Sequence, residues 1–179
     1  KRRGGETIFL EALGAKPVVV SEDPIRTLSV PAASPIGAGI GEDDELVVFS
    51  TSELRIVASR KPAQPENSIA EAYVSPGGDA VIFLEEIDLR EDPLLLSQWN
   101  VYSPLSGETR PILGAPVIRP HQFIGWVSSH AAVFKADDGG IWLVEDTNIS
   151  ARQVLLPEVG AAIQGSVASA GSHFFAVTV

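Results

Sequence analysis

Residues 69–113 read IAEAYVSPGGDAVIFLEEIDLREDPLLLSQWNVYSPLSGETRPIL, and this stretch decides the fold. Pro76 presets the φ angle of a tight turn, and Gly77 and Gly78 tolerate the positive φ that such a turn requires. The run from Ala80 to Leu84 is short, β-branched and aromatic, which is typical of a strand buried on both faces. The first half of the stretch is therefore predicted to be a β-hairpin.

The second half of the stretch repeats this logic. Trp99 to Tyr102 lead into a turn at Ser103 to Glu108, and Thr109 to Leu113 returns. Four short antiparallel strands in about 45 residues match the size of one propeller blade. We therefore predict an all-β chain with the architecture of a β-propeller.

The order of these features resembles the blades of the Tol-system periplasmic propeller and its WD-repeat-like relatives. The motif is structural in that family, so the resemblance implies a fold and no particular activity. It covers this one unit, about a quarter of the chain. The matching residues are Ser75, Pro76, Gly77, Gly78, Asp79, Trp99 to Tyr102, Ser106, Gly107 and Glu108.

The other apolar runs are predicted to form further hairpins of the same kind. Residues 36–58 and 122–156 are interpreted as two more meanders, separated from the central unit by loops such as the proline-broken linker 60–67. The second strands of the predicted hairpins begin at Glu45, Ala80, Ala131 and His173. This spacing is irregular around a repeat of about 40–45 residues, as loop insertions into blades would make it, and a plain β-sandwich stays open as an alternative.

The two ends of the chain carry half-blades. Thr7 to Val20 is predicted to be an outer hairpin turning at residues 14–17, and Gly165 to Val179 an inner one. Two arrangements follow: a four-bladed ring in which both ends share one blade, or a segment of a seven- or eight-bladed propeller. We favour the segment, because four blades are the lower limit of the class and the sequence does not begin with Met.

Composition restricts the class of partner. The chain is 179 residues long, with 45% apolar and 20% charged residues, which suits one ordered domain over residues 1–179. The formal net charge of −10 disfavours nucleic acids as partners. The basic tail, residues 1–5, is interpreted as a solvated terminus or as the flank of a membrane anchor outside this chain. We expect a periplasmic or extracellular location.

Candidate metal and catalytic residues are sparse. His121, His130 and His173 lack the close pairing typical of zinc sites. The acidic runs Glu42–Glu45 and Asp137–Asp138 are candidates for calcium, but they lack the EF-hand pattern, and solvated turns are the default interpretation. No cofactor, metal or catalytic residue is therefore predicted.

Aromatic residues near predicted strand ends are the candidates for a binding surface. The predicted partner-binding residues are Trp99, Tyr102, Trp126, His130 and Trp142. Large aromatic side chains also suit the packing between blades, so a core role is the competing interpretation for each of the aromatic four.

The function predicted from the sequence is a non-enzymatic propeller scaffold or sensor that binds a protein or peptide. Two alternatives stay open. One is a propeller that accompanies a hydrolase or peptidase domain, and the other is a glycan-binding propeller that uses Trp99 and Trp142. The oligomeric state is left open.

Overall fold

The computed structural model describes residues 9–10, 18–87, 96–113, 122–136, 140–145, 150–155, 168–170 and 173–175. Every regular element in these ranges is a β-strand, and none of them contains a helix able to span a bilayer. The strands lie in antiparallel sheets that follow the order of the sequence. The predicted all-β class is confirmed.

Twelve of the strands form three four-stranded sheets, which we call the first, second and third blades. The first blade contains β3 (Arg26–Ser29), β4 (Ile36–Ile40), β5 (Leu46–Ser50) and β6 (Arg55–Arg60). The second contains β7 (Ser68–Val74), β8 (Val81–Ile87), β9 (Leu96–Tyr102) and β10 (Thr109–Pro111). The third contains β11 (Gln122–Ser128), β12 (Ala131–Lys135), β13 (Ile141–Glu145) and β14 (Ser150–Leu155).

The second blade confirms the sheet predicted for residues 69–113. Val74 pairs with Val81 at the closed end of the first hairpin, and Tyr102 pairs with Thr109 in the second. The two hairpins are joined by the pairing of β8 with β9. Residues 68–111 therefore supply the four strands of one antiparallel sheet.

Strand β8 is buried on both faces, as its sequence predicted. Val81 and Phe83 pack in a cluster with residues of the first blade. Ile82 and Leu84 point the other way and pack in a cluster with residues of the third blade. Burial of each such side chain contributes about 1.5–3 kcal/mol. The apolar run is continuous because each face of this sheet meets a neighbouring blade.

Polar contacts add to the packing between the first two blades. The N–H of Ile69 donates to the carbonyl of Asp44 at 3.0 Å, and the N–H of Val74 donates to the Ser29 hydroxyl at 2.9 Å. These bonds lie near opposite ends of β7. They fix the position of the second blade relative to the first along the direction of β7.

The Ser-Pro-Gly-Gly turn is closed by its own serine. The N–H of Ser75 donates to the carbonyl of Ala80 at 2.9 Å, and the Ser75 hydroxyl accepts the N–H of Ala80 at 3.1 Å. The N–H of Gly78 donates to the Ser75 carbonyl at 2.9 Å, and Gly78 has a φ of +79°. Glycine takes this conformation without the steric cost of a Cβ.

The same turn is also in close contact with both neighbouring blades. A Cβ on Gly78 would lie 2.8 Å from atoms of Ser34 and Pro35 before the second strand of the first blade. A Cβ on Gly77 would lie 3.0 Å from the Ser129 hydroxyl in the third blade. The two glycines therefore permit close packing between blades as well as the turn itself.

Each terminal hairpin is a short two-stranded sheet in the described ranges. β1 (Phe9–Leu10) pairs with β2 (Val18–Val19), and β15 (Ala168–Ala170) pairs with β16 (His173–Phe175). Within the described ranges these are two separate two-stranded sheets, so a blade shared by both ends is not formed there. The turn predicted at residues 14–17 lies outside the described residues.

The way the blades pack argues against the sandwich alternative. β7 contacts β3 and β4 of the preceding blade, and β11 contacts β15 of the following hairpin. The sheets therefore follow one another side by side, with the first strand of the second blade against the first two strands of the blade before it. Two opposed sheets would be expected in a sandwich. The number of blades in the complete ring stays a prediction.

We expect Gly78→Ala to lower the free energy of unfolding by about 3 kcal/mol, because it combines a left-handed backbone with contact against Pro35. Gly107→Ala is the matched control: Gly107 also has a positive φ, +71°, but an added Cβ would meet only the flexible end of Arg60, at 3.2 Å. That control is expected to cost about 1 kcal/mol. Urea unfolding measures both values, and equal losses would contradict the packing role.

Candidate functional site

A pocket lies where the linker between the first two blades passes the turn between β4 and β5. Its volume is about 390 Å³, within the range of small-ligand sites. The linker supplies most of the wall, and the turn supplies one acidic side chain. The lining residues are Asp43, Lys61, Pro62, Ala63, Gln64, Pro65 and Asn67.

The linker is fixed to the second blade by a buried carboxylate. Glu85 of β8 is 7% exposed, and its Oε1 accepts hydrogen bonds from the N–H of Ala63 and from Nδ2 of Asn67, each at 2.7 Å. Such short N–H···O contacts are typical of charge-assisted bonds. The N–H of Asn67 also donates to the carbonyl of Gln64 at 3.1 Å, which closes a turn in the linker. The pocket wall is therefore held in place by hydrogen bonds.

Two buried polar groups beside this pocket lack a partner, a hydrogen-bond donor for one and a cation for the other. Asn67 is 8% exposed, and its Oδ1 is buried without a hydrogen-bond partner. Glu85 forms no ion pair with any residue that the structure describes. An unsatisfied buried acceptor costs about 1–3 kcal/mol, and buried carboxylates are usually paired with a cation. The Asn67 oxygen thus lacks a hydrogen-bond donor, and the Glu85 carboxylate lacks a cationic partner among the described residues.

The acidic turn mostly satisfies its own backbone. The Glu45 carboxylate accepts the N–H of Asp43 at 2.9 Å, and the Asp44 carboxylate accepts a hydrogen bond from the Arg26 guanidinium. Asp43 is exposed and lines the pocket. Among the residues described, no group of three or more His, Asp or Glu side chains is placed to hold a metal ion. Asp137 and Asp138, the second calcium candidates, lie outside those residues.

The five predicted partner-binding residues do not form one surface. Tyr102 is 2% exposed in the core between the first two blades, and Trp99 is 5% exposed in the core between the second and third. Trp126 and Trp142 are partly buried against the core between the second and third blades. His130 is exposed at the turn between β11 and β12. Trp99 and Tyr102 therefore take the core role that was the competing interpretation. Partner binding by any of the five stays a prediction.

An aromatic cluster fills the space between the second and third blades. Tyr73 stacks on Phe123 with ring centroids 4.0 Å apart, and Trp99 meets Phe134 edge-on at 5.1 Å. The Tyr73 hydroxyl donates to the Glu71 carboxylate at 3.1 Å. Burial, together with the nearby Glu71 charge and this hydrogen bond, raises the pKa of Tyr73 to about 12.

The raised pKa of Tyr73 predicts a loss of stability in alkali. The folded state holds this proton more tightly than the unfolded chain, so the contribution is complete below pH 10 and is lost as the pH approaches 12. Urea unfolding between pH 9 and pH 12 checks this. Tyr73→Phe keeps the ring stack and removes the proton, so wild type is expected to lose more stability over this range than the variant. Parallel losses would contradict it.

The pocket was not predicted from the sequence. The sequence indicates only a linker at residues 60–67, and a solvated turn or a calcium candidate at Glu42–Glu45. One signal was present: Glu85 directly follows the apolar run of β8, where a charged residue is unexpected in a strand buried on both faces. What it contacts depends on the fold.

Comparisons with known proteins detect similarity of fold alone. Neither the known protein families nor the curated proteins contain a match to this sequence. Among solved structures, U3-55K is similar with a TM-score of 0.52 and 10% identity, over 89% of this chain and 43% of that one. The outer coat vertex of COPII on membranes is similar with a TM-score of 0.52 and 12% identity, over 79% of this chain and 38% of that one.

These structural neighbours are WD40-type propellers. This chain spans less than half the length of either of them. At such low identity the similarity shows architecture and carries no activity. Together with the three four-stranded blades, it shows that this chain has a WD-repeat-like β-propeller fold.

Proposed function

We propose that this chain is a non-enzymatic scaffold that binds a protein partner, and that a peptide segment of the partner enters the linker pocket. The propeller fold supports this function, since WD40-like domains typically mediate protein interactions. The fold alone does not say which surface is used. The choice of surface rests on the pocket.

The observation that carries the proposal is the buried Asn67 amide, whose Nδ2 is bound to Glu85 while its Oδ1 has no partner. A native protein retains few such groups, and each calls for an explanation. A hydrogen-bond donor from a ligand supplies one. Because the oxygen is buried in the free chain, the donor reaches it when linker residues move aside.

The rest of the wall suits a peptide. Pro62 and Pro65 offer apolar surface to an aliphatic stem, while Lys61 and Gln64 are exposed at the rim and able to bond a peptide backbone. The prolines and the turn at Asn67 limit the conformations of the linker before binding. Because few conformations are open to this linker, the movement that admits the donor costs less entropy than it would in a flexible segment.

The test uses a random peptide library selected on the purified chain. Gln64→Trp places a bulky ring in the pocket, and Leu105→Trp adds the same ring to a different turn, where Leu105 is 98% exposed. Selected peptides are expected to bind Gln64→Trp at least about tenfold more weakly than wild type, since the ring occupies their site. Binding to Leu105→Trp should be unchanged.

Calorimetric titration measures these affinities, and thermal unfolding verifies that both variants fold. Two results would overturn the proposal. Either no peptide is enriched, or the enriched peptides bind both tryptophan variants as tightly as wild type.

We also propose that the protein is extracytoplasmic and related to the Tol-system propeller. The support is the resemblance of residues 75–79, 99–102 and 106–108 to the blades of that family. Alkaline phosphatase, which needs disulfides to be active, serves as the reporter when fused to the product of the full reading frame in bacteria. Activity of the fusion is expected. An inactive fusion at normal expression would place the protein in the cytoplasm.

A further inference from the structure

We infer that the group entering the linker pocket is a cationic side chain of the partner, an arginine guanidinium in particular. This inference rests on the function proposed above and specifies the chemistry of the ligand. Two acceptors of the lining carry it, the Asn67 amide oxygen and the Asp43 carboxylate, and the buried Glu85 carboxylate adds its charge through its hydrogen bond from the Asn67 amide.

The first argument is the missing counter-charge. Glu85 is 7% exposed and receives its two hydrogen bonds from uncharged donors, the Ala63 N–H and the Asn67 amide. In the part of the chain that the structure describes, no Arg or Lys pairs with it. A cation brought close to this carboxylate interacts with it more strongly than at an exposed site, because water screens a buried charge less.

The second argument is the match of donors to acceptors. Asn67 donates through Nδ2 to a carboxylate, which polarises the amide and makes Oδ1 a stronger acceptor. A guanidinium carries five N–H donors in a planar fork, so one group is able to bond Oδ1 and a carboxylate together. An ammonium is a compact point charge that presents no such fork. The acceptor set therefore favours arginine over lysine.

The positive charge of Lys61 distinguishes a cationic ligand from an anionic one. It is the cation among the lining residues and is exposed at the rim, on a long flexible stem. A cationic ligand is repelled by Lys61, whereas an anionic ligand would be attracted by it. Removing Lys61 therefore strengthens the binding of one class of ligand and weakens that of the other.

The charge of the whole chain acts in the same direction. With 23 acidic and 13 basic residues, the chain attracts a basic partner over a distance, and this attraction weakens with salt. This long-range attraction does not select the pocket. It does make an acidic ligand at this site the less favourable alternative.

The experiment uses three blocked tripeptides, acetyl-Gly-X-Gly-amide, with X as arginine, citrulline or glutamate. Citrulline keeps the shape of arginine and lacks its charge. Titrations are followed by NMR through the side-chain amide signals of Asn67 and Gln64. The arginine peptide is expected to shift these signals and to bind about tenfold more tightly than the citrulline peptide, since charge-assisted bonds are about twice as strong as neutral ones.

Variants of the two charged lining residues add the sign test. Lys61→Ala is expected to raise the affinity for the arginine peptide about threefold, and Asp43→Asn to lower it about threefold. Changes of this size are typical of exposed charges. Both positions are exposed, so folding is not at risk. Equal binding of the arginine and citrulline peptides would overturn the inference, and so would weaker binding of the arginine peptide to Lys61→Ala.

The outcomes separate this inference from the proposed function. If the glutamate peptide, or neutral peptides from the library, bind at the pocket and are excluded by Gln64→Trp, the scaffold function stands and the cationic ligand is wrong. If no peptide of any charge binds there, both are wrong.

Discussion

The burial of each four-stranded sheet on both faces is the constraint on which this structure depends. A free sheet with apolar residues on both sides exposes a large hydrophobic area, and the blades remove that area from water by standing against each other. In β8, alternate residues belong to different inter-blade cores, so neither core forms without this strand. The fold is consequently a property of neighbouring blades rather than of one hairpin.

This constraint also determines where a binding site is able to form. The faces of the strands and most aromatic side chains are buried between blades, as Trp99 and Tyr102 show. The turns and linkers at the rims remain. Glu85 lies at the point where β8 leaves the two cores, and there the strand contributes a carboxylate in place of an apolar side chain. The same strand therefore organises the core and the wall of the pocket.

The sequence predicted the hairpins because their signals are local. Ser75 to Asp79 define a turn by their own conformational preferences, and the run after it shows its burial by composition alone. The predictions for aromatic residues were weaker, because proximity to a strand end does not decide whether a ring faces a neighbouring blade or solvent. Register and blade order decide that, and neither is local.

The pocket escaped prediction for a related reason. Its wall joins Glu85 to Ala63 and Asn67, which precede it by 22 and 18 residues, across the first strand and the turn of the hairpin to which Glu85 belongs. No spacing rule connects a backbone N–H in a proline-broken linker with a carboxylate in a strand. Only the pairing of β7 with β8 brings them together.

The incomplete satisfaction of Asn67 and Glu85 is best understood as a balance between folding and binding. An apolar residue at position 85 would suit the end of a buried strand and would remove a charge that is costly to bury. It would also release the linker, since both hydrogen bonds from the linker to this strand end on that carboxylate. A wall that satisfied all its own polar groups would offer nothing to a ligand. The fold tolerates the deficit because the apolar cores on either side of β8 stabilise this strand, and a partner reaches the Asn67 oxygen once linker residues move aside.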